Sequence, residues 1–123
     1  VAMSRGIAAL IISNTTIARP ALASCYAGEA GGLSGAPLRD MAQQRLVDFR
    51  KASGGQIGLI GVGGIASAQD AYARIRAGAS LVQIYSALVY QGPGLARRIN
   101  KQLQQLLQAD GFVNISDAVG VDG

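Results

Sequence analysis

Three short apolar runs, each followed by a polar stretch with helical spacing, constrain this chain more than any other feature of its sequence. Ile7 to Ile12 is continuously apolar, which reads as a parallel strand buried on both faces. A glycine-rich loop runs from Ser13 to about Pro37, and then "LRDMAQQRLVDFRKAS" sets Leu38, Met41, Leu46 and Phe49 near helical spacing before "SGG" ends the segment. The pattern repeats in "IGLIGV" followed by "GGIASAQDAYARIRAG". Here Ser67 is the expected N-cap, Ala71, Ile75 and Ala79 form the apolar stripe, and Gly78 is the expected C-cap. It repeats again in "SLVQIYSAL" followed by "GPGLARRINKQLQQLLQADG", with Leu95, Ile99, Leu103, Leu106 and Leu107 on one face and Gly111 as the stop.

Strand, helix, strand, helix predicts an α/β fold with a parallel sheet. Two assemblies satisfy it: an open doubly wound sheet, or part of a closed (β/α)₈ barrel. A barrel of about 250 residues gives each unit roughly 31, so this chain would hold three or four of the eight.

Composition narrows the chemistry. The 123 residues are 50% hydrophobic and include 17 Gly, one Cys and no His, with 5% aromatics. One modest core is the ceiling, and an aromatic-filled β-sandwich is disfavoured. A Cys/His metal site, a His-based triad and an internal disulfide framework are excluded or nearly so. The net charge of +4 comes from 11 scattered basic residues, adjacent only at Arg50-Lys51 and Arg97-Arg98, which argues against nucleic acid as a partner. The opening "VAMSRGIAAL" lacks the apolar core of a signal peptide, and no run approaches the roughly 18–20 apolar residues of a membrane span, so the chain as it stands is expected to be soluble.

In either assembly ligands bind at the carboxyl ends of the strands, and those ends carry ligand-type residues. Ser13, Asn14 and Thr15 follow the first strand, Gly61, Gly63 and Gly64 the second, and Tyr85 and Ser86 the third. "GVGG" beside a helix opening at Ser67 offers unshielded backbone N–H groups and a positive dipole end, which suits a phosphate. Amide and hydroxyl groups at Asn14 and Thr15 suit a planar polar substrate, with a strand-end turn as the plainer alternative. "EAGGLSG" is either a surface loop or a backbone cradle. Arg19 is expected to anchor its long loop by pairing with a carboxylate, Glu29 being the candidate, with contact to a substrate as the alternative. Cys25 reads as inert, having no His to activate it. Asp40, Asp48 and Asp70 fall in helices, on faces expected to point outward, and no carboxylate pair for acid–base work is visible. The chain therefore shows binding groups and no catalytic residue.

Together, "SNTTIARP", "EAGGLSGAPLRD", "IGVGGIASAQDAYARIRAGASLVQIYSALVYQGP" and "GFVNISDAVG" resemble the C-terminal part of class 2 dihydroorotate dehydrogenase, the quinone-linked flavoenzyme of pyrimidine synthesis. The resemblance covers essentially the whole chain, in order and spacing. It implies that residues 1–123 are the C-terminal part of an FMN-binding (β/α)₈ barrel, matching its sixth, seventh and eighth units. Asn14 and Thr15 would hydrogen-bond orotate or dihydroorotate, and Ser13 would contact FMN. Ser34 and Gly35 would lie against the flavin chain, while Gly63, Gly64, Tyr85 and Ser86 would hold the FMN phosphate.

The class 2 resemblance also implies a serine base upstream of this segment, so neither Ser13 nor Ser34 is that base. Cys25 lies in the wrong loop to be the cysteine base of class 1. Upstream helices would meet the quinone and the membrane, which implies peripheral membrane association for the full-length family, at the cytoplasmic face or the mitochondrial inner membrane. Two alternatives stand beside this one. One is another FMN or phosphate-ligand barrel enzyme. The other is an inactive or interaction-only fragment, whose open sheet edges and exposed inner face would invite association.

Overall fold

In the computed structural model, which describes residues 2–123, the three apolar runs become strands β1 (Ala9–Ile12), β2 (Gly58–Val62) and β3 (Leu81–Gln83). They are hydrogen-bonded in the order β1-β2-β3, all parallel. The register sets Ile11, Ile60 and Leu81 side by side, with Ile12, Gly61 and Val82 in the next row. The helices are α1 (Arg39–Ser53), α2 (Ala68–Arg76), α3 (Ser86–Gln91) and α4 (Leu95–Ala109), with 3₁₀ turns at Met3–Arg5, Ala36–Leu38 and Ile115–Ala118. Among the described residues, no helix is long and apolar enough to cross a membrane.

The helix ends follow local chemistry. α1 stops at Gly54, whose φ of 57° is the left-handed conformation open to glycine without strain. α2 starts at Ser67, whose hydroxyl oxygen accepts from the Asp70 N–H as expected of an N-cap. α4 buries Leu95, Ile99 and Leu103 at intervals of four, with Leu106 and Leu107 partly covered, and Gly111 follows its end with φ 78°.

Which face the helices cover decides between the two assemblies. Leu46 of α1 packs in one cluster with Leu59 of β2. Gly61, two residues on and therefore on the same face, abuts α2: a Cβ there would lie 3.3 Å from the Arg74 Cβ. Helices on one face of sequentially ordered parallel strands are the winding of a (β/α)₈ barrel, whereas a doubly wound sheet carries them on both. Both core clusters lie on this side: Ile12, Leu46, Ile57, Leu59, Ala77 and Ala79 under α1, and Ile65, Ala71, Tyr72, Ile75 and the buried α4 residues between α2 and α4.

The opposite face corrects the expectation of strands buried on both sides. Ile11 is 56% and Leu81 64% exposed there, because every helix that packs on the sheet lies behind it. Other expectations shift for local reasons. The third strand ends at Gln83, and Ser86 to Gln91 coils into α3. Ala79 lies past the end of α2 yet is fully buried between helix and sheet, and Gly78 sits one residue beyond the C-cap, Ala77. From the N-cap into α1 the buried line is Leu38, Ala42 and Leu46, spaced by four, which leaves Met41 and Phe49 over a third exposed.

The end of the chain is latched to α2. The Gly120 and Asp122 N–H groups donate to the carbonyls of Ile75 and Arg76. The Arg76 guanidinium pairs with Asp110 at 2.6 Å and Asp122 at 2.7 Å.

Candidate functional site

The carboxyl ends of the three strands open into one cavity of about 260 Å³, just under the roughly 300–1,000 Å³ usual for small-molecule pockets. Ser13, Asn14 and Thr15 enter it from the end of β1, and Ser34 and Gly35 from the loop before α1. Gly63 and Gly64 come from the turn after β2, and Tyr85 and Ser86 from the start of α3. The nine residues that the family resemblance assigned to the site thus line a single space, although two of them are 72 positions or more from the first; Gly61, the other strand-end candidate, does not, because it faces Arg74 and Ala79 on the helix side of the sheet.

The loops forming it are tied to one another. Asn14 Oδ1 accepts from the Thr15 N–H at 2.8 Å, which fixes the amide and leaves its NH₂ group as a donor. Thr16 and Leu33 exchange both backbone hydrogen bonds, at 3.1 and 2.7 Å, folding "GGLSG" across the end of β1. The approach is so close that a Cβ on Gly32 would fall 1.9 Å from Thr15 Oγ1. On the far side, Ser86 Oγ donates to Ser34 Oγ at 3.0 Å. The Gln91 side chain donates to the Ala66 carbonyl at 2.9 Å, holding α3 against the glycine turn. Tyr85, 81% exposed, stands at the open rim.

Three expectations about charges change. Arg19 does anchor its loop, but through carbonyls: its guanidinium donates to Thr16, Ile17 and Ala18 on one side and to Glu29 and Gly31 on the other, the last at 2.6 Å. The Glu29 carboxylate is not its partner. Asp70 does not face outward. Its carboxylate accepts from the Ala66 N–H and the Ser67 hydroxyl and pairs with Arg39 at 3.1 Å. A carboxylate of the chain itself therefore stands at the N-terminus of α2, where it complements the dipole, and the Ser67 hydroxyl takes the Asp70 N–H, so the anion-binding potential of "GVGG" is assigned to the turn itself.

Arg74 is the buried cation behind the cavity lining that sequence reasoning missed. Only 2% exposed, it donates to the Gly63 carbonyl at 2.8 Å, to the Arg39 carbonyl at 2.7 Å and to the Gln43 side chain. Burial pulls its pKa below the usual arginine value, yet a guanidinium remains a cation at neutral pH. Its helical position carried the signal: Arg74 lies three residues after Ala71 and beside Ile75, on the buried side of α2. Gln83 and Gln91 also line the cavity, and the place of Gln83 at a strand's carboxyl end was the cue for it.

Elsewhere the chain offers less. A hollow of about 310 Å³ lies inside the Arg19–Leu33 loop, but the Arg19 donors that border it are committed to carbonyls. Cys25 is free and exposed, away from the cavity lining. Among the described residues, no group of three or more His, Cys, Asp or Glu is placed to hold a metal ion.

Comparisons with known proteins agree with this geometry. The family model described as dihydroorotate dehydrogenase matches residues 1–107. The chain is 65% identical over 120 residues to the dihydroorotate dehydrogenase (quinone) of Novosphingobium aromaticivorans and 64% identical to that of Sphingopyxis alaskensis, covering 98% of this chain and 34% of each relative. It therefore spans about a third of the length of the curated relatives it matches. Among solved structures, DHODH from Eimeria tenella in complex with ferulenol superposes with a TM-score of 0.95 at 45% identity, covering 98% of this chain and 32% of that one. The ligand-free form from the same organism gives 0.94. With most of its length under the family model and its three units superposing on a solved member, this chain belongs to the dihydroorotate dehydrogenase family.

Proposed function

We propose that the protein serves the oxidation of dihydroorotate to orotate in pyrimidine synthesis, with FMN as cofactor and a quinone as final acceptor, and that this chain supplies part of the substrate and FMN site. The observation that carries the reading is the convergence of all nine candidate residues on one cavity at the strand ends. The names of the relatives, dihydroorotate dehydrogenase (quinone), support the substrate and the acceptor.

The donor set fits a flavin mononucleotide. Hydroxyls at Ser34 and Ser86 and the N–H groups of a glycine turn are the donors that a phosphate monoester needs. The chemistry FMN supplies when bound is acceptance of hydride from the substrate and transfer of its electrons to the quinone. Gly63, Gly64, Tyr85 and Ser86 would hold its phosphate, Ser34 and Gly35 would lie along its chain, and Ser13 would border the ring.

Dihydroorotate presents carbonyl oxygens, ring N–H groups and a carboxylate. The Asn14 NH₂ group, oriented by the Thr15 N–H on its oxygen, donates to one of those acceptors, and the Thr15 hydroxyl can donate or accept. Holding the ring at fixed angles and excluding water from it is what these residues contribute to the reaction. Membrane contact and the quinone site belong to helices outside this chain, with association to the membrane surface as the corresponding location.

The test is direct titration of the purified protein. FMN should bind saturably with quenching of flavin fluorescence, and orotate should then perturb the flavin spectrum. Asn14→Ala should weaken orotate binding about tenfold, the worth of one buried hydrogen bond to a charged or strongly polar ligand, while FMN affinity changes less than about twofold. Unchanged orotate affinity would remove Asn14 from the substrate site, and absence of flavin binding would remove the cofactor.

A further inference from the structure

Two arginines that do not line the cavity grip the glycine turn that does. Arg74 Nη2 donates to the Gly63 carbonyl at 2.8 Å, and Arg39 Nε donates to the Gly64 carbonyl at 3.2 Å. The grips are coupled, because Arg74 Nη2 also holds the Arg39 carbonyl at 2.7 Å. Each guanidinium has its own support: Asp70 pairs with Arg39, and the Gln43 side chain accepts from Arg74. The stem of Arg74 reaches this position because residue 61 is glycine, where a Cβ would press on the arginine's own Cβ and Cδ at 3.3 Å.

A trans peptide carries its N–H opposite its C=O. With the Gly63 and Gly64 carbonyls turned outward to two guanidinium groups, the N–H groups of the same two peptides, those of Gly64 and Ile65, point the other way. Both residues line the cavity. Glycines at φ +103° and +71° allow the backbone to take this course. Successive N–H groups on one side of such a turn make an anion-binding concavity, and two cations lie behind it.

We propose that Arg74 and Arg39 are positioning residues that set the turn as a phosphate cradle, by holding its carbonyls on the outer side so that the Gly64 and Ile65 amides face a phosphate monoester. The inference deepens the cofactor reading above and rests on it. It assigns the discrimination between a phosphorylated and an unphosphorylated flavin to residues that never touch the ligand.

The experiment compares FMN with riboflavin, the same flavin without the phosphate, as probes of equilibrium binding. The unsubstituted protein, Arg74→Met, Arg74→Lys and Arg39→Gln are compared. Arg39 is partly exposed, at 45% of its side chain, so its variant keeps the fold even where Arg74→Met loses it. The unsubstituted protein should bind FMN more tightly than riboflavin. Arg74→Met should lower that ratio about tenfold or more and Arg39→Gln about threefold, with riboflavin affinity held within about twofold. Arg74→Lys, which keeps a cationic donor for the Gly63 carbonyl, should restore most of the ratio.

Amide resonances give a second readout. Inorganic phosphate should shift Gly64 and Ile65 in the unsubstituted protein and shift them less in Arg39→Gln. An FMN-to-riboflavin ratio unchanged in both Arg74→Met and Arg39→Gln, or equal losses for the two flavins, overturns the positioning role while the cofactor reading stands. An unsubstituted protein that binds no flavin, or binds FMN no better than riboflavin, overturns the phosphate site itself and this inference with it.

Discussion

Arg19 and Arg74 hold two loops of the same cavity with the same chemistry, guanidinium donors on backbone carbonyls, but one does so in solvent and the other in the core. Arg19 gathers five carbonyls of an exposed loop. Water competes for every one of them, so the net worth of each bond is small. Arg74 holds two carbonyls and an amide oxygen where no water reaches, and a buried acceptor that loses its donor has no substitute. The cavity accordingly has a stiff floor, the glycine turn over Arg74, and a yielding wall, formed by Asn14 and Thr15 and by Ser34 and Gly35 at the two roots of the loop that Arg19 gathers. Under the proposed function the flavin phosphate would meet the floor, and the substrate would meet Asn14 and Thr15 on the wall.

The contrast is open to attack at two glycines. Gly64→Ala puts a Cβ 2.6 Å from the Arg39 Cα on a backbone with φ +71°, crowding main chain against main chain. It should cost about 3 kcal/mol or more and lower the melting temperature by roughly 10 °C. Gly32→Ala looks worse on paper, with its Cβ 1.9 Å from Thr15 Oγ1. The obstacle includes the Thr15 Cβ, so Thr15 and its backbone must shift together; on an exposed loop that shift should cost less than the clash at Gly64, about 1 kcal/mol, with orotate affinity falling more than stability as Thr15 is displaced. Comparable melting shifts for the two variants would erase the distinction between floor and wall.

Arg19→Ala should be milder still in global terms, under about 1 kcal/mol. Its mark should be local: hydrogen exchange at the Thr16 and Leu33 amides should quicken about tenfold while Leu59 in β2 keeps its protection. Equal quickening at Leu59 would mean that wall and sheet open as one unit.

Arg76 sharpens the comparison from a third side, since its acceptors are carboxylates. Hydrogen bonding to Arg76 holds the Asp122 carboxyl below its ordinary value of 3.8. A carboxyl lowered by folding contributes stability that is full above its unfolded value and is lost as pH falls through its folded one. Below about pH 4 the guanidinium resonances of Arg76 should therefore move as the latch at the end of the chain loosens. Those of Arg19 should stay, because its carbonyl acceptors do not titrate.

What could be read in the sequence was what local pattern encodes. The apolar runs located β1, β2 and the start of β3, and Ser67 named its helix end, because strand burial and capping act over a few residues. The cavity was legible because Asn14, Thr15, Gly63, Gly64 and Ser86 stand at strand ends, where this class of fold places its ligands. α3 was not, since a six-residue helix inside "SLVQIYSALVYQ" has no period that separates it from a continuing strand. The roles of Arg39, Asp70 and Arg74 were hidden for a different reason. Charged residues in helices look like solvated faces until tertiary packing brings Gly61, Gly63 and Gly64 against them. The Glu29 carboxylate was the natural partner for Arg19 by charge, but the closed Thr16–Leu33 turn presents five carbonyls first.

The strand order carries a consequence for how the molecule is made. In this arc the order along the chain is the order in space, so β2 and β3, as they emerge during synthesis, each find the preceding strand already made and add to its edge. No strand waits for a later one to be inserted beside it, and each pairing spans a single connection instead of the whole arc. Assembly is cumulative, like courses of brick: a nascent chain stopped after β2 holds β1, α1 and β2, and lacks Ala77 and Ala79, which complete their core, together with the α3 edge of the cavity.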